Sequence, residues 1–281
     1  MKKIGFVDYF FGNWHSMNYP VWMAEICEKE GYEFTASYAW AELDTSPVNG
    51  VKIDDWCEKF AAERCTSLEE LCERSDVIII MAPGAPEKHL QYAETVLRYG
   101  KPTFVDKTFA ENLASAEKMF ALAAAHGTPL FSSSALRYAP ELEYCEGCRQ
   151  VMTTGNGASL EEYIVHQIEM VVRKLGVGAA ELCLMETGIQ KTVHIRYSDD
   201  RAAMMHYAPT YLPFGIHMFG GDTKGLFFRI ESEYFKSLTA DILHFWDSGI
   251  SPVPAEQTIE VIRIRDGVLH ASAQPGQWIR L

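Results

Sequence analysis

Along the first half of the chain, short unbroken apolar runs alternate with longer segments whose apolar residues fall at helical spacing. Residues 3–8 form a compact apolar run suited to a buried strand. Asn18 and Pro20 read as a helix start, Trp22, Met23, Ile26 and Cys27 recur at helical spacing, and Gly31 stands just past the end. Residues 32–38 read as a second strand, and residues 53–62 and 67–74 as helices. The second of these has Ser67 as N-cap and Glu70 at the capping-box spacing. Residues 76–81 (DVIIIM) run through β-branched side chains without alternation, so both faces of that strand should be covered, as in a parallel sheet under helices. Pro83, Gly84 and Pro86 break it. Residues 87–99 then read as a helix closed by Gly100, 102–105 as a strand, 112–126 as an Ala-rich helix stopped by Gly127, and 129–132 as a last short strand.

This alternation predicts a doubly wound α/β domain with right-handed crossovers. Ligands of such sheets bind beyond the carboxyl ends of the strands, which directs attention to residues 8–15, 82–86 and 106–109. The second half has a different pattern. A helix over 160–175, closed by Gly176, is followed by alternating segments at 181–186, 190–197, 201–207 and 225–230, with turns at 198–200 and 220–222. Helices over 233–246 and from Pro254 to about 273 close the chain. The expected fold is an N-terminal Rossmann-like domain over 1–131 and a C-terminal α+β domain over 132–281 with a mainly antiparallel, open sheet.

Composition narrows the field of partners. The 281 residues are 48% hydrophobic, enough for sizeable cores, and 25 Lys+Arg against 38 Asp+Glu give a net charge of −13. That balance argues against nucleic acid or an anionic membrane as the partner, because neutralising phosphates needs a cationic surface. The longest apolar run, 77–83, is far short of the ~20 residues that span a bilayer. The opening MKKIGFVDYFFG lacks the pattern of a secretory signal. With seven scattered cysteines, this points to a reducing, cytoplasmic setting. Cys145 and Cys148 make one CxxC without a second pair and read as two thiols on a helix; His194, His206 and His217 show no ligand spacing, so no metal is expected.

The order of several motifs resembles the Gfo/Idh/MocA oxidoreductases. SLEEL at 67–71, DVIIIMAP at 76–83, His89 and GKPTFVDKT at 100–108 resemble the stretch that ends in that family's Glu-Lys-Pro motif. Residues 137–140 (RYAP) resemble its Arg-x-x-Pro turn, 159–176 its second-domain helix with a carboxylate four residues before a histidine, and 246–281 its tail. The resemblance implies a Rossmann domain that binds NAD or NADP, a sugar, polyol or cyclitol as substrate, and homo-oligomers formed through the C-terminal sheet. Carried over by position, Lys107 and His166 form the catalytic pair, with Glu162 as the preceding acid. The family pattern also suggests that a strand is missing between 140 and 155.

The family's glycine-rich turn is replaced here by Asp8, Tyr9, Phe10, Phe11 and Gly12. Asp8 and Phe10 stand near the first two glycine positions and Gly12 near the third, where close backbone approach to a pyrophosphate is needed. The cofactor candidates are accordingly Asp8, Phe10, Gly12, Trp14, His15, Ala82, Pro83, His89 and Asp106. Ala39 and Trp40 occupy the expected end of the second strand, with Glu42 and Asp44 further on, while Asp106 and Thr108 replace Glu and Pro around Lys107. Lys107, Arg137, Tyr138 and His166 are the substrate-contact candidates. Glu162, His166, Glu169 and Arg173 share one helix face opposite an apolar stripe, a face that either lines a cleft or is simply solvated. Four readings stay open: a nicotinamide-dependent oxidoreductase, an NAD-dependent lyase or epimerase with internal redox cycling, a ligand-binding member without cofactor, and a structural subunit.

Overall fold

The computed structural model describes residues 1–221 and 223–281. The chain divides into two compact units, Met1–Ser133 with Leu238–Ala255, and Ser134–Ser237 with Glu256–Leu281. The first unit contains β1 (Lys2–Asp8), α1 (Trp14–Glu30), β2 (Phe34–Ala41), α2 (Ile53–Phe60), β3 (Glu63–Arg64), α3 (Leu68–Arg74), β4 (Val77–Ile80), α4 (Glu87–Val96), β5 (Thr103–Val105), α5 (Leu113–His126) and β6 (Leu130–Ser132). All six strands are parallel, in the order β3-β2-β1-β4-β5-β6. This is the doubly wound order whose direction reverses between β1 and β4, leaving a crevice at their carboxyl ends.

Local chemistry explains where the reading of the sequence slipped. α1 starts at Trp14, four residues before Asn18, because Asn13 caps it: its side chain accepts from Ser16 N. Pro20 therefore lies inside the helix, where it cannot donate to the carbonyl of Ser16. That carbonyl instead accepts the indole N–H of Trp56 at 2.8 Å, so a buried tryptophan from α2 satisfies the group the proline leaves open. β2 runs to Ala41 rather than ending at Tyr38, with Asp8 paired to Ala41, so Glu42 is the first residue beyond the strand. Ser67 caps α3 as expected, but Glu70 closes on the N–H and hydroxyl of Thr66, one residue before the cap. Lys101 donates to the carbonyls of Cys72, Glu73 and Ser75 and so closes the other end of that helix.

The second unit holds β7 (Cys148–Asn156), α6 (Leu160–Leu175), β8 (Ala179–Thr187), β9 (Gln190–Tyr197), β10 (Ala202–Ala208), β11 (Gly215–Gly220) and β12 (Thr223–Arg229). α7 (Tyr234–Ser248) follows; its residues from Leu238 onward belong to the first unit, where Trp246 packs on Phe34 and Phe245 on Phe131. α8 (Ala255–Ser272) and β13 (Trp278–Arg280) complete the second unit, whose sheet runs β12-β11-β7-β10-β9-β8-β13. Only the β7–β10 pair is parallel among its described ladders. β7 fills the stretch where a strand was expected to be missing, and it places Cys145 in a turn and Cys148 in a strand rather than on a helix. Asp222 of the expected 220–222 turn lies outside the described residues.

Alternation along these strands separates two faces. Val151, Thr153, Val193, Ile195, Met205, Ile216 and Met218 are buried, in the core that also holds Ile164, Ile168, Val171 and Leu175 of α6. On the other face the register aligns Phe227, His217, Met152, Met204, His194, Cys183 and Trp278 in one row, with Phe227, Met152 and Trp278 exposed. Among the described residues no helix is long and apolar enough to cross a membrane.

Trp56→Phe should cost about 1–3 kcal/mol by leaving the Ser16 carbonyl buried without its donor. Urea unfolding of the single variant and of Trp56→Phe combined with Pro20→Ala checks this. The penalty should shrink in the double variant, because an alanine N–H at position 20 can take the same carbonyl.

Candidate functional site

At the carboxyl ends of the parallel strands, the side chains that end β1 and follow β5 are both buried carboxylates. Asp8 is fully shielded. Its Oδ1 accepts from Tyr9 N at 2.8 Å and Ala82 N at 3.0 Å, and its Oδ2 accepts from the Asn13 amide at 2.7 Å. Burial pushes this carboxyl up to about 7, against the pull of its three hydrogen bonds. Ala82 sits in the left-handed region at φ 52°, an uncommon conformation for alanine, with its N–H aimed at Asp8.

Asp8 therefore occupies the turn from inside. Gly12, at φ 93°, donates to Ser16 Oγ, and a Cβ there would lie 2.6 Å from Val51 Cβ, so this glycine serves the packing of its own loop. Phe11 points inward onto Trp56, with ring centroids 4.3 Å apart, and Phe10 is half-buried beside Tyr9. Several main-chain donors around this turn end on the chain's own groups: Tyr9 N on Asp8, Gly12 N on Ser16 and Ser16 N on Asn13, while Ala82 N, beyond β4, also ends on Asp8. The turn therefore offers a dinucleotide fewer free main-chain donors than the glycine-rich turn usual in this fold. The ribose side is closer to expectation, because the longer β2 brings Glu42 to the strand end. There it binds Lys88 at 2.7 Å and Tyr92 at 2.8 Å, and although burial works against it, these two donors hold its carboxyl below the usual range.

Asp106 follows β5. Its Oδ1 accepts from Tyr19 OH at 3.2 Å and Lys107 N at 2.9 Å, and its Oδ2 stands 2.6 Å from His15 Nδ1. Burial opposes its charge, but His15, through charge and hydrogen bond, and Lys107 outweigh it and hold this carboxyl below its ordinary value. Lys107 is itself buried, donates Nζ to the Pro83 carbonyl at 3.0 Å, and precedes a cis peptide to Thr108. Trp14 is 53% exposed, edge-on to His15 and Trp22. His89, by contrast, is fully buried, with Nδ1 3.1 Å from the Phe109 carbonyl and Nε2 against that of Met81; burial lowers its pKa. It pins the segments after β4 and β5 together and reaches no ligand surface.

In the second unit, the polar face of α6 runs from solvated to shielded: Arg173 is exposed, Glu162 and His166 are half-buried, and Glu169 is buried. Glu169 is ion-paired to Arg137 at 3.1 Å and accepts from Ser134 N at 2.9 Å. Arg137 also binds Gln257. Ser134 Oγ in turn lies 2.7 Å from His166 Nδ1. This contact orients His166 through Ser134, while Glu162, four residues earlier, donates its backbone N–H to the Ser159 cap. Tyr138 is half-buried next to Arg137. Sequence reasoning passed over Tyr19, Ser134 and Glu169 as site residues. Glu169 shares the face of Glu162 and His166, but nothing local marks Ser134 as its partner. Among the described residues no group of three His, Cys, Asp or Glu side chains is arranged for a metal.

Residues 42–133, about a third of the chain, match the family model described as "Oxidoreductase family, NAD-binding Rossmann fold". The resemblance to the Gfo/Idh/MocA oxidoreductases is borne out on that segment, which contains β4, β5 and Lys107. Among solved structures, a probable dehydrogenase from Thermotoga maritima superposes with a TM-score of 0.80 at 12% identity, covering 99% of this chain and 98% of the other. The UDP-N-acetylglucosamine 3-dehydrogenase GnnA from Acidithiobacillus ferrooxidans gives 0.78 at 11%, covering 96% and 97%. A putative myo-inositol dehydrogenase from Sinorhizobium meliloti gives 0.77 at 10%, covering 100% and 99%. At these identities the likeness is one of fold. No curated protein matches the chain.

Two outcomes check this geometry. The folded chain holds the Asp8 proton more tightly than the unfolded chain, whose carboxyl titrates near 3.8, so this group's contribution to stability falls as pH rises from about 4 to 7. In Asp8→Asn that part of the slope should vanish, as read from urea unfolding at pH 5 and pH 8. Arg137→Ala, which leaves Glu169 buried without its cation, should cost about 3–5 kcal/mol, and Arg137→Met with Glu169→Met should recover most of the loss.

Proposed function

We propose that this chain is an oxidoreductase acting on a hydroxyl carbon of a sugar, polyol or cyclitol, with NAD or NADP as the hydride partner. The observation that carries the reading is Lys107. It lies within the segment matched by the oxidoreductase family, immediately beyond β5, buried at the end of a parallel strand where ligands of this fold bind. In this reading Lys107 Nζ and the His166 imidazole hold and move the hydroxyl proton, Ser134 orients the imidazole, and Arg137 fixes the turn that carries Ser134. Tyr138 and Glu162 are the further substrate-side candidates. The names of the structural neighbours, a UDP-N-acetylglucosamine dehydrogenase and a putative myo-inositol dehydrogenase, favour a hydroxylated ring as substrate. The exposed row Phe227, Met152 and Trp278 favours association of copies through the open sheet.

The closed turn at Asp8 favours a second reading, in which the same fold binds a hydroxylated ligand without a dinucleotide. Thermal unfolding with 1 mM NAD or NADP separates the two: a rise in Tm supports the oxidoreductase, and no response to either supports the ligand binder. Turnover should be assayed with myo-inositol, D-glucose and UDP-N-acetylglucosamine. Net NADH or NADPH formation marks the oxidoreductase, whereas product without net reduction marks an internal redox cycle of the lyase or epimerase kind. Lys107→Ala and His166→Ala should each lower turnover by about 10²-fold or more with unfolding unchanged; wild-type turnover in either would remove that residue from the reaction.

A further inference from the structure

Two buried carbonyls beyond the sheet end depend on one side chain. His89, fully shielded on α4, sets Nδ1 3.1 Å from the Phe109 carbonyl and Nε2 against the Met81 carbonyl. Met81 and Phe109 are themselves buried, and among the described hydrogen bonds neither carbonyl has a second donor. A neutral imidazole carries one N–H and can serve one of the two; the imidazolium carries two and serves both. Burial works against the charged form, the carbonyls and the charge of Asp106 favour it, and on balance the pKa is lowered, so the ring is neutral at pH 7. A buried carbonyl without its donor is costly, and the segment less firmly held elsewhere is the one that gives. Met81 directly follows β4 and donates its N–H to Val7 at 2.8 Å, whereas Phe109 lies four residues past β5. The two segments share one more tie, from Lys107 Nζ to the Pro83 carbonyl at 3.0 Å. Lys107 thus stands two residues before one clasped carbonyl, and its acceptor two residues after the other.

We propose that His89 is a positioning residue for Lys107: a clasp that closes on both segments when its ring carries two protons and, when it carries one, keeps Met81 and releases Phe109 with the segment that bears Lys107. Acid fixes the lysine in place, and neutral pH frees its segment to move. The charged groups around the clasp are Asp106, whose charge reaches the ring, Lys107 next to it in the chain, and Asp8, bonded to the Ala82 N–H beside Met81. Only the part of Lys107 in proton transfer rests on the oxidoreductase reading. The clasp itself requires neither a cofactor nor turnover.

The test uses the full chain. Nitrogen NMR of the His89 ring, assigned through bonds from its own Cβ, should show one proton, on Nε2, at pH 7.5 and two at pH 5. Hydrogen exchange, corrected for its intrinsic pH dependence, should find residues 105–110 about tenfold better protected at pH 5 than at pH 7.5, the worth of one hydrogen bond, while residues 77–81 hold steady. His89→Gln, whose side chain does not titrate, should abolish that step. The Asp8 carboxyl, pushed up to about 7, titrates in the same window, so Asp8→Asn should keep the step. A neutral ring at pH 5, a proton on Nδ1 at pH 7.5, unchanged protection of 105–110, a step that persists in His89→Gln or one that is lost in Asp8→Asn would each overturn the proposal. Should either variant fail to fold, the wild-type ring and the wild-type exchange decide it. Failure here leaves the oxidoreductase reading standing, and absence of NADH or NADPH formation leaves the clasp standing.

Discussion

A carboxyl group placed where water cannot reach it must find donors, a cation or a proton, and the crevice end of the parallel sheet is organised around that requirement. Asp8 resolves it with two main-chain N–H groups, one amide and a raised pKa. Asp106 resolves it with a histidine and a tyrosine. The first solution ties the end of β1 to the segment after β4; the second ties the start of α1 to the end of β5. Between them they set the path of each loop from which this fold ordinarily draws its ligand contacts. The glycines usual at such a turn leave donors for a visiting anion. Here the chain supplies the anion itself.

The second unit uses the same device. Glu169, in the middle of α6, is buried with Arg137 as its cation and the Ser134 N–H as a further donor, and Ser134 then meets His166. A buried ion pair is a weak source of stability but a strict one of geometry, since moving either partner strands a charge. The imidazole is thus referenced to a fixed element rather than to the acid four residues before it.

Much of the fold was legible from periodicity. The run DVIIIM could be little else than a central parallel strand, and Ser159 and Gly176 bracket α6 at both ends as its caps. Errors arose where a local signal was outvoted from a distance. Pro20 reads as a helix start, and it is tolerated inside α1 only because Trp56, thirty-six residues later, takes the carbonyl it frees. Tyr38 reads as a strand end because Ala, Trp and Ala after it carry no alternation, yet pairing with β1 carries the strand to Ala41. β7 was missed because its mixed sequence, CRQVMTTGN, acquires a buried face only once β10 and β11 flank it. The same limit applies to the site. Lys107 and His166 were visible from motif order, whereas the bonds of Asp8, Asp106 and Ser134 join residues up to 91 positions apart, a separation no local pattern encodes.

α7 has an implication for how the molecule comes into being. Leu238–Ala255 belongs to the unit that begins at Met1, with Trp246 against Phe34 and Phe245 against Phe131. During synthesis, the Rossmann sheet must wait for the aromatic partners of those two phenylalanines until residues 245 and 246 have left the ribosome. Meanwhile the intervening unit is threaded out as an insertion. A shortened chain stopped after Ser133 would carry all six parallel strands and still lack the helix that packs on Phe34 and Phe131.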